Sequence, residues 1–277
     1  MRSKKSTVIT IEAGRMERRY WVDLWNYREL FYFFSWRDIR VRYKQTVIGL
    51  AWALIRPLMT MIVFTIVFGK LAKLPSNGTP YPILVFSALL PWNFFSSAFS
   101  EAGNSLINNA NMISKVYFPR LIIPASSVIV NFVDFLVSFF ILTCLMAWYS
   151  FVPSPRICYL PLFISVAFAA SLGAGLWISS LNVRYRDFRY IIPLTVQLGL
   201  YISPVGFSSS IIPKKWLLLY YLNPMVGVID GFRWAILGGS YTLYWPGFLI
   251  SLPLVLFILV SSIAFFRKTE KTFADVI

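Results

Sequence analysis

Long apolar stretches alternate with short polar segments along most of the chain. Six such stretches stand out, at 47–71, 81–99, 121–149, 159–181, 191–207 and 244–266. Because a helix rises about 1.5 Å per residue, each is long enough, or nearly so, to cross about 30 Å of hydrocarbon. The pattern therefore predicts an all-α integral membrane protein with six transmembrane helices.

The segment between the last two predicted spans has a different pattern. Over 211–239, prolines and charges divide the apolar residues into pieces of about ten residues, which are too short to cross a bilayer. The interrupting residues are Pro213, Lys214, Lys215, Pro224, Asp230 and Arg233. We expect two short re-entrant helices there, at about 214–222 and 224–237, which enter the membrane from the outer side.

Composition and charge support this class of protein and orient it. The residue types AVILMFWYC make up 58% of the chain and charged residues only 13%, which excludes an ordinary soluble domain and a disordered chain. The net charge is +15, and 19 of the 26 basic residues fall on one side of the predicted spans, against 6 on the other. Because basic residues accumulate on the cytoplasmic side, we predict cytoplasmic termini and no nucleic-acid partner. The chain then comprises a cytoplasmic N-terminal segment (1–46), a transmembrane domain (47–266) and a cytoplasmic tail (267–277).

Aromatic and basic side chains are interleaved before the first span, over 23–44. This mixture is typical of an amphipathic helix in the headgroup plane, with rings in the acyl boundary and cations on anionic lipid. The helix is either an anchor alone or a surface that also contacts a cytoplasmic partner. Its members include Trp25, Tyr27, Phe31, Tyr32, Phe33, Phe34, Trp36, Arg37, Arg40, Arg42, Tyr43 and Lys44.

Two loops on the predicted cytoplasmic side have features of a docking surface. The loop 101–120 is rich in asparagine and can form a short helix parallel to the membrane. The loop 182–190 carries Arg184, Arg186 and Arg189 beside Asp187. It is either an anchor formed by basic residues or a socket for a soluble protein.

Two charged residues lie within predicted spans, where a charge is costly and generally faces a cavity or an opposite charge. Arg56 lies in the first span beside Pro57, and Asp134 lies near the middle of the third. Three interpretations stay open: a buried Arg56–Asp134 pair, an Arg56 that meets an anionic group of a substrate, or an Arg56 that lies near the interface.

Aromatic residues make up 18% of the chain. The sequence favours belts at the two interfaces and ordinary packing for most of them. A second interpretation is a path lined by rings, because aromatic faces stack on sugars and suit a wet, apolar channel. The candidates for that path are Trp92, Phe94, Phe95, Tyr201, Phe207, Tyr220 and Tyr221.

Several kinds of chemistry are excluded by what the sequence lacks. With no histidine, neither a His-containing zinc site nor a histidine-dependent triad can form. The two cysteines, Cys144 and Cys158, are expected to be free thiols in apolar surroundings. No GxxxxGK[ST] phosphate loop occurs, so a pump built on this chain needs an ATPase on another chain. We expect no catalytic residue, metal or cofactor in this chain.

A series of motifs follows in order along nearly the whole chain. They are WRDIRVRYKQT at 36–46, GLAW at 49–52, RPL at 56–58, FG at 68–69, LPW at 90–92, KVYFPR at 115–120, NVRYRD at 182–187, SPV at 203–205, LNPM at 222–225 and TFADVI at 272–277. Together they strongly resemble the permease subunits of ABC-2 type exporters. The pattern is most similar to the O-antigen polysaccharide branch, with capsule and teichoic acid permeases as near relatives.

The resemblance implies a homodimer of this chain with two separate ATP-binding cassette subunits, which would hold ATP and magnesium. The implied substrate is a polysaccharide on undecaprenyl diphosphate. ATP hydrolysis in the partner would drive its export across the bacterial cytoplasmic (inner) membrane, in which this chain would be a multi-pass protein.

The resemblance also implies roles for segments. A coupling helix would lie at about 102–114, and the two short outer helices at about 210–239 would gate the exit. The implied ATPase-coupling residues are Asn104, Leu106, Asn108, Asn109, Met112, Arg184, Arg186 and Asp187. The implied gate residues are Pro213, Trp216, Asn223, Pro224 and Arg233. We expect Arg37, Arg40, Arg42 and Arg56 to meet the diphosphate by charge-assisted hydrogen bonds.

Two other classes of protein stay open. An ion-coupled flippase of lipid-linked oligosaccharides would depend on Asp134 and on a proton or sodium gradient. A membrane-embedded glycosyltransferase would turn over nucleotide sugars without an ATPase.

Overall fold

The computed structural model describes residues 20–44, 49–76, 78–239 and 241–273. Side chains are not described for residue 44 or for residues 49–53. The predictions for 1–19, for 45–48 and for the tail beyond residue 273 lie outside the described residues. So do parts of the motifs at 36–46, 49–52 and 272–277.

Every regular element in these described ranges is a helix. The helices in chain order are α1 (Tyr20–Asn26), α2 (Arg28–Lys44), α3 (Gly49–Phe64), α4 (Tyr81–Asn108), α5 (Ala110–Ile113), α6 (Ile122–Trp148), α7 (Leu160–Arg184), α8 (Phe188–Ile202), α9 (Lys214–Tyr220), α10 (Pro224–Leu237) and α11 (Trp245–Thr269). A π-helical turn over Thr65–Leu71 extends α3. Short 3-10 turns occupy Pro155–Tyr159, Ser209–Ile211 and Glu270–Thr272.

Within the described residues, five of the helical segments are long and apolar enough to cross a membrane. They are Leu54–Leu71, Tyr81–Asn108, Ile122–Trp148, Pro155–Arg184 and Trp245–Thr272. The fifth predicted span corresponds to α8, which is apolar but has only 15 residues. At about 22 Å it is shorter than the hydrocarbon core. It ends at Ile202, and the next residue, Ser203, has an extended backbone. That is the conformation that a following proline, here Pro204, favours.

Helix α4 is the centre of the fold. It is largely buried, it packs along α6 and α7, and it also contacts α3, α8 and α10. Small residues allow a close approach to α7, since a Cβ atom on Gly175 would lie 2.7 Å from the Cβ of Ala102. Such contacts are typical of helices in lipid, where apolar burial alone does not favour helix–helix contact over lipid contact.

One end of the helix bundle has its own apolar core, which brings distant segments together. Phe34, Phe118, Phe266 and Phe273 are buried there. The backbone amide of Arg120 donates to the carboxylate of Glu270 at 2.6 Å. The beginning of α6 and the end of α11 therefore lie together, beside α2.

Two sequence predictions about this end need correction. The segment 23–44 is not one continuous helix, because it breaks at Tyr27 and α2 then packs against α6. Its position in the headgroup plane stays a prediction. The predicted loop 101–120 begins later, since α4 continues to Asn108 and α5 has only four residues. By contrast, the two short helices predicted after α8 are present as α9 and α10. Their depth in the membrane stays a prediction.

The close contact between α4 and α7 gives a test of the packing. We expect Gly175→Leu to lower the free energy of unfolding by about 1–3 kcal/mol, because the new side chain must displace the α4 backbone. Thermal unfolding of the purified chain in detergent measures this. Ser165→Leu, at an exposed position of the same helix, is the control and should have little effect. Equal stability of both variants would contradict the close packing.

Candidate functional site

A polar cavity of about 760 Å³ opens between α3, α4 and α6, with α2 at one end. The lining extends from Glu101 to Leu90 along α4, a rise of about 16 Å. Arg42, Glu101 and Asp134 make the Glu101 end charged, whereas Leu90 and Phe94 make the Leu90 end apolar. The remaining lining residues are Ile55, Arg56, Pro57, Met59, Thr60, Asn93, Ser96, Ser97, Asn131, Phe135 and Ser138.

Five side chains converge at the charged end of this cavity. The Arg42 guanidinium donates a hydrogen bond from one terminal nitrogen to the Asp134 carboxylate and from the other to the Glu101 carboxylate. The Tyr43 hydroxyl also donates to Asp134, and the Asn131 amide donates to Glu101 at 2.8 Å. Each carboxyl group thus accepts from at least two side chains, and the cluster joins α2, α4 and α6.

The chemistry of Arg42 and Tyr43 follows from these contacts. Burial lowers the pKa of Arg42, but the carboxylates of Glu101 and Asp134 more than offset this, so its pKa is raised. Burial and the hydrogen bond to Asp134 raise the pKa of Tyr43. The guanidinium therefore stays charged and the phenol stays protonated as a donor at neutral pH.

Helix α2 reaches Asp134 because it runs beside α6. The rings of Phe34 and Phe118 lie 5.8 Å apart at the start of this contact. Eight residues later on α2, Arg42 meets Asp134, which lies near the middle of α6. Asn131 and Asp134 are three residues apart and share one face of α6, as residues at that spacing do.

The predicted Arg56–Asp134 pair is not the pair that forms. Among the described residues, the ion pair recorded for Asp134 is with Arg42. Arg56 instead lies on the wall of the same cavity with an exposed side chain. Its carbonyl accepts from the Thr60 hydroxyl at 3.0 Å, next to the kink-prone Pro57.

The other predicted substrate-binding arginines lie on α2. Arg37 donates to its neighbour Asp38 at 2.7 Å and to the side chain of Asn109 at 3.4 Å. Arg40 is exposed and lies over the ring of Trp36, with its guanidinium carbon 6.0 Å from the ring centre. Of the four arginines, Arg42 and Arg56 line the cavity.

The candidate aromatic residues are either buried in the protein or at least partly exposed on its surface. Trp92 and Tyr221 are buried inside the subunit, where they contact protein instead of an open path. Phe94 lies on the cavity wall, although it is almost fully buried. Tyr201 is 63% exposed, and Tyr220 is half-buried and donates its hydroxyl to the carbonyl of Ile202 at 2.7 Å. Phe95 and Phe207 are also half-buried.

The predicted gate segment is built around a buried arginine. Arg233 is only 1% exposed, although the sequence predicts it among the six basic residues on the outer side of the membrane. Its guanidinium donates to the carbonyls of Phe207 at 2.6 Å, Val205 at 2.9 Å and Leu84 at 3.4 Å. Arg233 therefore ties the non-helical chain after α8 to α10 and α4.

Other side chains complete this arrangement. The Tyr81 hydroxyl donates to the Gly206 carbonyl at 2.8 Å, and the Asn223 amide donates to the Ser203 hydroxyl at 3.0 Å. The Asn223 oxygen also accepts from the Met225 amide and so caps α10, whose first residue is Pro224. Pro213 precedes α9, and Trp216 on that helix is exposed.

The predicted ATPase-coupling residues fall into two environments. Leu106 is buried in α4, and Asn104 accepts from the amide of Asn182 on α7 at 3.2 Å. Asn109 precedes the short helix α5 and donates its side-chain amide back to the Ser105 carbonyl of α4, and Met112 is half-buried on α5. Asn108, Arg184, Arg186 and Asp187 are exposed at the end of the helix bundle where α4 and α7 finish.

Glu101 and Asn131 line the cavity, although the sequence pattern predicts neither as a site residue. The predicted second span ends at residue 99, which places Glu101 in a loop. One signal for Asn131 is present in the sequence: it lies three residues before Asp134 in an otherwise apolar span, so both share one helix face. Both cysteines are free, as expected, and both are exposed on the surface of the chain.

Comparison with known proteins identifies the class. The family model described as ABC-2 type transporter matches residues 29–237. The chain therefore belongs to the ABC-2 type transporter family. With five apolar helices long enough to cross a membrane, it is a multi-pass inner membrane protein.

Individual relatives define the branch of the family. The chain is similar to the O-antigen export system permease protein RfbA of Klebsiella pneumoniae, at 27% identity over 87% of this chain and 92% of the relative. The corresponding protein of Myxococcus xanthus is 25% identical over 76% and 81% of the two chains. The polysialic acid transport protein KpsM of Escherichia coli is 24% identical over 73% and 79%.

The buried guanidinium gives a test of how the gate segment is held. We expect Arg233→Met to destabilise the chain by about 3 kcal/mol, because carbonyls that accept from it lose their donor. The measurement is thermal unfolding in detergent, together with proteolytic sensitivity of residues 203–212. Lys214→Met, at an exposed position of α9, is the matched control. Unchanged stability in Arg233→Met would contradict the tethering role.

Proposed function

We propose that this chain is the transmembrane permease subunit of an exporter that moves O-antigen polysaccharide, carried on undecaprenyl diphosphate, across the membrane. Two copies would assemble with two ATP-binding subunits that hydrolyse ATP. The relatives named O-antigen export permeases support the substrate class, because the aligned region covers 92% of one of them. The lack of a phosphate loop in the sequence supports a separate ATPase.

The observation that carries the proposal is the polar cavity with Arg56 on its wall. A diphosphate cannot enter hydrocarbon unaided, since an unpaired charge in an apolar medium is very costly. A guanidinium can bind phosphate oxygens with two parallel hydrogen bonds. Arg42 is already engaged by two carboxyl groups, so Arg56 is the better placed of the two cavity arginines to meet the substrate.

The proposed topology has six crossings with α8 as a shortened fifth span. The end of the bundle that carries Arg120 and Glu270 would face the cytoplasm, because most basic residues lie toward it. The helices α9 and α10 would then enter from the outer side. The exposed residues Asn108, Arg184 and Arg186 would contact the ATPase.

The alternatives differ in how well they fit the site. A capsule exporter is the second candidate, supported by the similarity to the polysialic acid transport protein. Export of teichoic acid would use the same arrangement. An ion-coupled flippase would need Asp134 to exchange a cation, and this carboxyl group is already held by Arg42 and Tyr43.

Co-purification tests the proposed assembly. We expect the tagged chain to retain a P-loop subunit in detergent and the complex to show vanadate-sensitive ATP hydrolysis. Lipid-linked O-antigen added to the reconstituted complex should stimulate this activity. A chain that purifies alone and moves lipid-linked glycan in liposomes without ATP would overturn the proposal.

Removal of the cavity arginine tests the substrate contact. We expect Arg56→Ala to lower export about tenfold, because the substrate loses a charge-assisted hydrogen bond. The thermal stability of the chain should not change. Arg56→Lys should retain part of the activity because the charge remains. Lys70→Ala, at an exposed position after the same helix, is the control. Normal export by Arg56→Ala would show that Arg56 does not contact the substrate.

A further inference from the structure

We propose that Arg42, Glu101 and Asp134 form a clasp, which holds α2 against α4 and α6 and transmits displacements near Asn109, between α4 and α5, to the charged end of the cavity. In this proposal the three are positioning residues and not substrate ligands. The transport consequence rests on the proposed export function, whereas the mechanical role of the clasp does not.

The first argument is geometric. The two carboxyl groups lie on different helices, Glu101 on α4 and Asp134 on α6, and one guanidinium on α2 donates to both. Tyr43 adds a second link from α2 to Asp134. Because the clasp also lines the cavity, any movement of α2 away from α4 and α6 changes the charged end of that cavity.

The second argument is a further tie on the same helix. Five residues before Arg42, Arg37 donates to the side chain of Asn109 at 3.4 Å. Asn109 immediately follows α4, donates back to the Ser105 carbonyl at 2.8 Å and precedes α5. Since α2 is held to α4 at two levels, a shift at Asn109 acts on α2 and through it on the clasp.

The third argument is electrostatic. The clasp contains two carboxyl groups and one guanidinium, so its charge does not suit an anionic diphosphate. Carboxylates repel phosphate at short range, and the effect is strong where water is scarce. The clasp would therefore exclude the headgroup from this end of the cavity and leave Arg56 to receive it.

Amide hydrogen exchange on the full permease–ATPase complex in lipid nanodiscs tests the clasp. In the variant with both Glu101→Gln and Asp134→Asn, we expect exchange over residues 28–44 to become at least about tenfold faster. Exchange over 224–237, which Arg233 holds separately, should not change. Glu29→Gln, an exposed carboxylate on α2, is the matched control.

Transport supplies the second measurement. We expect the double variant to keep hydrolysing ATP while exporting less polysaccharide, so that more ATP is consumed per exported chain. A purely structural role would instead speed exchange throughout and lower both activities together, and that result would overturn the proposal. Unchanged exchange over 28–44 would overturn it as well.

Two further comparisons keep the test decisive. If the double variant fails to fold, Arg42→Lys keeps the charge but not the two-pronged geometry, and we expect a smaller acceleration over the same residues. If Arg42→Lys exchanges over residues 28–44 at the same rate as the parent, that result would contradict the clasp. If the parent complex shows neither ATPase activity nor export, the proposed function fails, and the exchange comparison still decides the clasp.

Discussion

A polar group buried away from water is costly unless it finds a hydrogen-bond partner within the protein. Two arginines meet this requirement in different ways. Arg233 donates to backbone carbonyls, which lets the chain after α8 leave the helical conformation while it stays buried. Arg42 donates to two carboxyl groups, which lets α4 and α6 carry acids on faces that would otherwise be apolar. Both the cavity and the arrangement of the chain between α8 and α10 depend on these contacts.

The rest of the fold follows from packing around α4. Its small and apolar residues bring α6, α7 and α10 close, so these helices form one continuous core. Helix α3 is much less buried and leaves space beside α4 and α6. The cavity therefore lies where the exposed helix α3 meets the buried helix α4, and polar residues are part of its lining.

The cavity separates two kinds of positive charge. The charge of Arg42 is matched by neighbouring acids and serves to hold helices together. The charge of Arg56 faces the cavity and is available to an anion. In the proposed export function, this separation would let the chain bind a charged headgroup without losing the contacts that keep its own helices in place.

The membrane class, five of the spans and the short helices after α8 could all be predicted from the sequence. These properties depend on the local order of apolar, charged and proline residues, which the chain displays directly. The packed structure was needed to show that Asp134 pairs with Arg42, that Glu101 belongs to a helix and that Trp92 and Tyr221 are packed inside. Those outcomes depend on which helices are neighbours and on their register. Many pairings satisfy the same apolar pattern, so side-chain partners are settled only when the helices pack in three dimensions.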